Sequence, residues 1–344
     1  MAEKKRATIQ QIADEAGVTK TTVSRVINNR PDVAPETRER VEKIIKQLGY
    51  KPSAVARSLS QGKSCTIGVI GFGLEFFGIS RVVTEIEAQA NNRGYSLALS
   101  LIHEPEQNDV GNLLSELVAR HIDGIIWAVP HIGDNRSWLI NSLEKISIPV
   151  VCVSMEPHPD LTVVEVDNFV GGKLATKHLI EQGYQNIGVI SGPSNWWASR
   201  RRVDGWKVAM AEAGYEANPA WIFEGNWSAE SGFYCAEKLL HNFPEIEAIF
   251  TCNDQMALGV QKAANTLGIR IPEDLALVGY DNIPESEFFN VSLTTIRQGF
   301  TELGKVAMQE LERKIRGDVR SETATPEAVF IKPELIIRRS SMSE

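Results

Sequence analysis

Apolar residues recur along this chain in two rhythms. Over residues 8–48 they return at helical spacing: Ile9, Ile12, Ala13 and Ala16, then Val23, Val26 and Ile27, then Val41, Ile44, Ile45 and Leu48. Thr8 and Gln11 stand at capping-box spacing before the first stripe. Gly17 can take the positive φ that ends one helix and starts a turn. Thr19 is placed to cap the second helix. Pro35 suits the first position of a third helix running to Leu48. Two short helices joined by a glycine-containing turn make a helix-turn-helix.

From Cys65 onward the rhythm changes to short apolar runs separated by amphipathic segments. Predicted strands are 66–71, 95–100, 124–129, 149–153, 162–166, 186–191, 247–251 and 275–280. Regular β–α alternation implies parallel sheets with helices on both faces. About eight such units exceed one small sheet, so two lobes are expected. The fold class is therefore an all-α helix-turn-helix headpiece followed by a two-lobed α/β core with parallel sheets.

Charge follows the same division. The first 63 residues hold 13 Lys/Arg against 7 Asp/Glu, a net of +6 in a chain whose formal net charge is −8, so the other 281 carry −14. A basic module on an acidic body points to nucleic acid contacted by the module. No apolar run is long enough to span a membrane, and MAEKKRATIQ lacks the apolar core of a secretory signal. Cys65, Cys152, Cys235 and Cys252 form no CxxC, which suits reduced thiols and a cytoplasmic location.

The second helix presents Lys20, Thr21, Ser24, Arg25 and Asn28 opposite its apolar side. Lys20, Thr21 and Arg25 are placed to reach base edges in a major groove. Thr8, Thr19, Thr22, Ser24 and Asn28 can donate to phosphates. The segment SAVARSL after Pro52 is too short for a helix stable alone in water. Leu59 within it has two readings, ordinary packing against the body or an apolar wedge in the minor groove, and residue physics alone favours packing.

The stretch TIQQIADEAGVTKTTVSRVINNRPDVAPETRERVEKIIKQLGYKPSAVARSL resembles the start of LacI/GalR-family bacterial transcription regulators. CNDQMALG, VGYDN and LTTIRQGF extend the resemblance over nearly the whole chain. It implies a headpiece (1–51), a hinge helix and linker (52–63) and a periplasmic-binding-protein-like core (64–344). The core's N-lobe is expected at about 64–165 and 295–320, its C-lobe at about 166–293 and 321–344, with crossings near Val166, Thr294 and Ser321. The resemblance makes Lys20, Thr21 and Arg25 the base readers, adds Ile9 to the DNA-facing set, and places Ala56, Arg57 and an intercalating Leu59 in the minor groove. It also implies a homodimer on double-stranded, pseudo-palindromic operator DNA. Ala34 departs from the serine usual at the third helix cap.

Open α/β sheets bind ligands beyond the carboxyl ends of their strands. There this chain places SNWWASRRRVDGW, NWSAESG, NDQ, DN and RQGF. Trp227 could stack on a sugar, Arg202 offers a planar donor fork, Asp281 accepts, and Asn253 does both. The resemblance implies effector contacts from Arg202, Trp227, Asn253, Asp281, Gln298 and Phe300. Ser154 stands where some members have an aspartate. Phe72, Phe76 and Phe77 are expected in the cleft wall. Trp196 and Trp197 have two readings, core packing or a wall for a second sugar ring. The expected function is a transcriptional repressor released by a small sugar, such as a disaccharide or glycoside. The alternatives are a cytoplasmic sugar-binding protein and a corepressor-dependent regulator of a non-sugar ligand such as a purine.

No cofactor, metal or catalytic residue is expected. GVIGFG lacks the order of a dinucleotide loop, and Ser60–Lys63 falls in the hinge. The six histidines show no HxxxH or HExxH spacing.

Overall fold

The computed structural model describes residues 7–27, 30–50, 64–104, 110–318 and 328–342. They fall into two compact units that divide between Ser64 and Cys65. The first comprises α1 (Ile9–Ala16), α2 (Lys20–Ile27) and α3 (Pro35–Leu48). Thr8 Oγ1 accepts from Gln11 N at 3.3 Å, and Thr8 N donates to Gln11 Oε1 at 3.0 Å, closing a capping box on α1. Gly17 ends that helix with φ 65°. Thr22 N donates to Thr19 Oγ1 at 3.2 Å at the start of α2. Ala34 supplies no side-chain cap to α3, which begins on Pro35. Ile12, Ala13, Ala16, Val23, Val26 and Val41 form the small core, and Ile9, Ile27, Ile44, Ile45 and Leu48 pack half-buried around it.

The second unit contains two six-stranded sheets. Its elements in chain order begin with β1 (Thr66–Phe72), α4 (Phe77–Asn92), β2 (Ser96–Ile102), α5 (Val110–Ala119) and β3 (Gly124–Ala128). They continue with α6 (Asn135–Leu143), β4 (Val150–Val153), β5 (Val163–Val166), α7 (Asn168–Glu181), β6 (Ile187–Ser191) and α8 (Trp197–Glu212). Next come β7 (Ile222–Glu224), α9 (Ala229–Asn242), β8 (Ala248–Thr251), α10 (Asp254–Leu267) and β9 (Ala276–Asp281). The last are β10 (Thr294–Arg297), α11 (Phe300–Arg316), β11 (Val329–Ile331) and β12 (Glu334–Ile336).

The N-lobe sheet has the order β11-β5-β4-β3-β1-β2 and is parallel throughout. The C-lobe sheet has the order β12-β10-β9-β8-β6-β7, antiparallel only between β10 and β12. Strands such as β3 and β6 are buried along their whole length, because helices cover both faces.

The sheets place the three lobe crossings. The chain leaves the N-lobe after Val166 and enters α7. The second crossing follows Arg297, within a few residues of the expected Thr294, because Thr294, Thr295 and Ile296 are buried in the C-lobe as part of β10. The third lies between Ile331 and Glu334, not near Ser321, because β11 adds to the N-lobe sheet beside β5. Both of these crossings border short strands of four and three residues, where a two-residue alternation is barely visible. No helix among the described residues is long and apolar enough to cross a membrane.

Candidate functional site

Two surfaces collect the residues singled out above. On the first unit, Lys20, Thr21 and Arg25 lie exposed on α2, opposite buried Val23 and Val26. Thr8 and Thr19 are exposed at the helix starts, while Ile9, Thr22 and Ser24 are half-buried. Arg25 Nη1 stands 3.3 Å from Asp32 Oδ2, and both side chains are about half exposed. An exposed pair contributes about 0–1 kcal/mol, so this guanidinium can change partners at little cost. Such a face can present hydroxyl, ammonium and guanidinium donors to phosphates and base edges. Asn28, Ala56, Arg57 and Leu59 lie outside the described residues.

The second surface is a cleft of about 340 Å³ lined from both lobes, a size suited to a small ligand. Phe77, Ser154, Trp196, Arg202, Trp227, Asn253, Asp281, Gln298 and Phe300 all line it. One end is polar. Arg202 is buried and donates from Nε to Asn168 Oδ1 at 2.8 Å and from Nη1 to the Cys252 carbonyl. Its guanidinium lies 3.7 Å from the Tyr280 ring centroid. Asp281 Oδ1 is 3.9 Å from Arg202 Nη1 and accepts from Gln298 Nε2. Burial pushes the Asp281 carboxyl up to about 6, against the opposing pull of Arg202 and Gln298.

Close helix packing positions this end. A Cβ on Gly172 would meet the Arg202 carbonyl oxygen at 2.1 Å, and one on Gly205 the Phe169 oxygen at 2.2 Å. Only glycine lets α7 and α8 approach so closely, which brings Asn168 and Arg202 within hydrogen-bond reach.

The walls are aromatic. Phe76 meets Trp196 edge-on with centroids 5.3 Å apart, and Trp196 meets Trp227 at 5.5 Å. Phe77 and Phe300 make a similar pair at 6.2 Å. Trp227 takes φ 72°, Asp281 φ 114° and Ser154 φ 56°. Such conformations cost on the order of 1–3 kcal/mol each and cluster at ligand clamps. Trp227 is buried, and its Nε1 has no hydrogen-bond partner among the described residues.

Three placements refine the reading of the sequence. Asn253 caps α10 through Met256 N at 2.9 Å and donates from Nδ2 to the Trp227 carbonyl and to Gln255, so it holds the wall as well as facing the cleft. Phe72 stands behind the wall against Phe76 and Trp196, not in the lining. Trp197 is also absent from the lining; it begins α8, with Arg200 and Arg201 over its ring.

At the rim the lobes pair through their backbones. Gly133 N donates to Asn195 O and Trp197 N to His131 O, both at 3.0 Å, with Ile132 bridged antiparallel to Trp196.

Sequence reasoning missed Asn168 in the lining and Tyr280 beneath Arg202, while Asn226 and Gln255 line the cleft from the NWSAESG and NDQ stretches. Asn168 was findable, because DN follows the strand VVEV as DN follows ALVGY.

Two family profiles match parts of the chain. Residues 8–53 match the profile of bacterial regulatory proteins, lacI family. Residues 176–341 match a periplasmic binding protein-like domain. The HTH-type transcriptional repressor PurR of Haemophilus influenzae is 39% identical over 338 residues, covering 98% of this chain and 99% of its own length. PurR of Pasteurella multocida is 37% identical, with 98% and 99% covered. Among solved structures, the lac repressor dimer bound to operator and the anti-inducer ONPF superposes with a TM-score of 0.86 at 27% identity, covering 98% of this chain and all of its own. The transcriptional regulator CelR in complex with cellobiose gives 0.71 at 28% identity, with 97% and 100% covered.

Proposed function

Because this chain belongs to the lacI family of bacterial regulatory proteins, we propose that it is a sequence-specific DNA-binding transcriptional repressor, not an enzyme, released from its operator by a small carbohydrate. The carrying observation is the cleft itself: Arg202, Asp281 and Gln298 converge at one end, and Trp196, Trp227 and Phe76 wall the rest. Sugars present paired hydroxyls to a donor fork beside a carboxylate, and C–H faces to aromatic rings. The CelR–cellobiose neighbour supports that chemistry.

In this reading Lys20, Thr21 and Arg25 read bases, and Thr8, Ile9, Thr19, Thr22, Ser24 and Asn28 seat the headpiece on the backbone. Ala56, Arg57 and Leu59 form the minor-groove hinge. A homodimer is part of the proposal, supported by the dimeric lac repressor. Ligand binding favours one lobe arrangement, and a coupling of about 1–3 kcal/mol lowers operator affinity. A cytoplasmic location follows from the same reading.

A purine is the second reading of the effector. Relatives matching nearly the whole chain are named PurR, and a flat base also suits aromatic walls. Thermal-shift screening of the full chain against sugar and purine panels separates the two. Stabilisation by purine bases and by no sugar would overturn the carbohydrate assignment.

A further inference from the structure

Glu165 is 2% exposed on β5, one residue before the strand ends at the first lobe crossing. Val163, two residues before it on the same face of the strand, packs into an apolar N-lobe cluster, so a valine at 165 would satisfy the fold here. Burying a carboxyl instead costs free energy unless its hydrogen bonds are made. Only half of this one is satisfied: Oε1 accepts from Asn168 Nδ2 at 2.8 Å, and Oε2 has no partner among the described residues. Burial pushes the group up to about 8, opposed by the Asn168 hydrogen bond and the Arg202 and Arg201 charges, with Asp167 acting in the direction of burial.

The partner explains the expense. Asn168 is an amide with one donor end and one acceptor end. Nδ2 reaches Glu165 and, at 3.1 Å, the Val166 carbonyl. Its Oδ1 therefore faces the other way, where it accepts from Arg202 Nε at 2.8 Å and from Tyr280 Oη at 3.3 Å. Reversing the amide would set its oxygen against the Val166 carbonyl oxygen and two donors together at Arg202, and Glu165 could meet the reversed oxygen only by turning a proton onto Oε1.

We propose that Glu165 is a positioning residue for Arg202: by fixing the orientation of the Asn168 amide it holds the guanidinium aimed along the polar end of the cleft. Its relevance to a ligand rests on the cleft being the effector site, as proposed above. It also ties the N-lobe's crossing strand, through a single amide, to an arginine of the C-lobe.

The test needs no ligand, so failure of the sugar and purine panels would sink the effector reading and leave this experiment intact. In the nitrogen-15-labelled full chain, the Arg202 Nε–H resonance (assigned with Arg202→Lys) reports the bond to Asn168. Glu165→Val suits the strand and removes the acceptor. It is expected to speed solvent exchange of that proton by about five- to tenfold, one net hydrogen bond's worth, without lowering the melting temperature. Glu165→Gln keeps an acceptor and is expected to retain wild-type exchange. If Glu165→Val fails to fold, Glu165→Thr, too short to reach Asn168, must show the same acceleration. Unchanged exchange in the folded Val or Thr variant, or equal acceleration in Glu165→Gln, overturns the proposal.

Discussion

Two arginines each stand beside an aspartate, in opposite surroundings. Arg25 meets Asp32 at 3.3 Å on the headpiece, with both side chains about half in solvent. Arg202 lies 3.9 Å from Asp281, both more than nine-tenths buried. The looser pair matters more. Arg25 can leave Asp32 for water or phosphate at almost no cost. Arg202 has exchanged water for Asn168, the Cys252 carbonyl, Tyr280 and Asp281, and nothing around it can replace them unaided. A surface that must engage a large charged partner keeps its cation free. A cleft that must sense a small ligand builds its cation into a network that the ligand has to join.

That contrast is broken most severely at Arg202. Arg202→Met keeps much of the stem but leaves Asp281 buried, with Gln298 as its remaining side-chain hydrogen-bond partner among the described residues. Removing one member of a buried charged network costs about 3–5 kcal/mol. Chemical denaturation of the full chain is expected to show a loss of that size in the core transition. A loss below about 1 kcal/mol would mean that the network is dispensable.

Next is the pH dependence of Glu165. Its folded value of about 8 lies above the ordinary 4.5, so the folded core holds this proton more tightly than the unfolded chain. The resulting stability is complete below about 4.5 and is lost as pH rises through about 8. Glu165→Gln has no such loss. The stability of the variant relative to wild type is expected to grow by a few kcal/mol between pH 5 and pH 9, at about 1.4 kcal/mol per pKa unit. Asp281, raised to about 6, sheds stability over a lower window and is present in both proteins, so the difference isolates Glu165. A constant difference from pH 5 to 9 would refute the assignment.

How much of this was legible in the sequence differs between the regions for a physical reason. Headpiece interactions are local. Thr8 caps with Gln11, Thr19 with Thr22, and apolar stripes repeat within a helix, so periodicity alone located α1 to α3. The cleft joins strand ends far apart in the chain. The carboxyl-end rule and the family resemblance found its lining, but neither spacing nor composition shows that Glu165, Asn168, Arg202 and Tyr280 meet. Nor does β11, with three residues, announce which sheet it joins. Trp197 was ambiguous because adjacent tryptophans at a helix start point in different directions, and only the fold decides which one faces the cleft.

The rim pairing offers a milder test. Trp197→Pro removes the N–H that reaches His131 O, yet proline suits the first position of α8. Trp196, with φ −88° and ψ 124°, already has the backbone that a following proline requires. Trp197→Ala removes the ring and keeps the bond. Relative to that control, Trp197→Pro is expected to lose about 1 kcal/mol of interlobe attachment, read as faster amide exchange at Gly133. Equal exchange would mean that the bridge does not hold the rim.

The smallest structural effect belongs to the exposed pair. Asp32→Asn removes the carboxylate beside Arg25 and leaves every buried headpiece residue in place. Stability of α1 to α3, followed by amide exchange, is expected to change by less than about 0.5 kcal/mol. Function should change more than stability. If α2 faces DNA as proposed, Asp32 is a negative charge close to the phosphates, and removing it should strengthen binding to mixed-sequence duplex. Because that gain is electrostatic, it should shrink as salt rises. An Asp32→Asn protein that binds mixed-sequence duplex no better than wild type at low salt would place Asp32 away from the phosphates. If wild type and variant both fail to bind duplex at low salt, the DNA-facing reading of α2 itself is wrong. The same charge pairing that is structurally idle on the headpiece would then have no role in either region's chemistry, and the contrast with Arg202 would rest on burial alone.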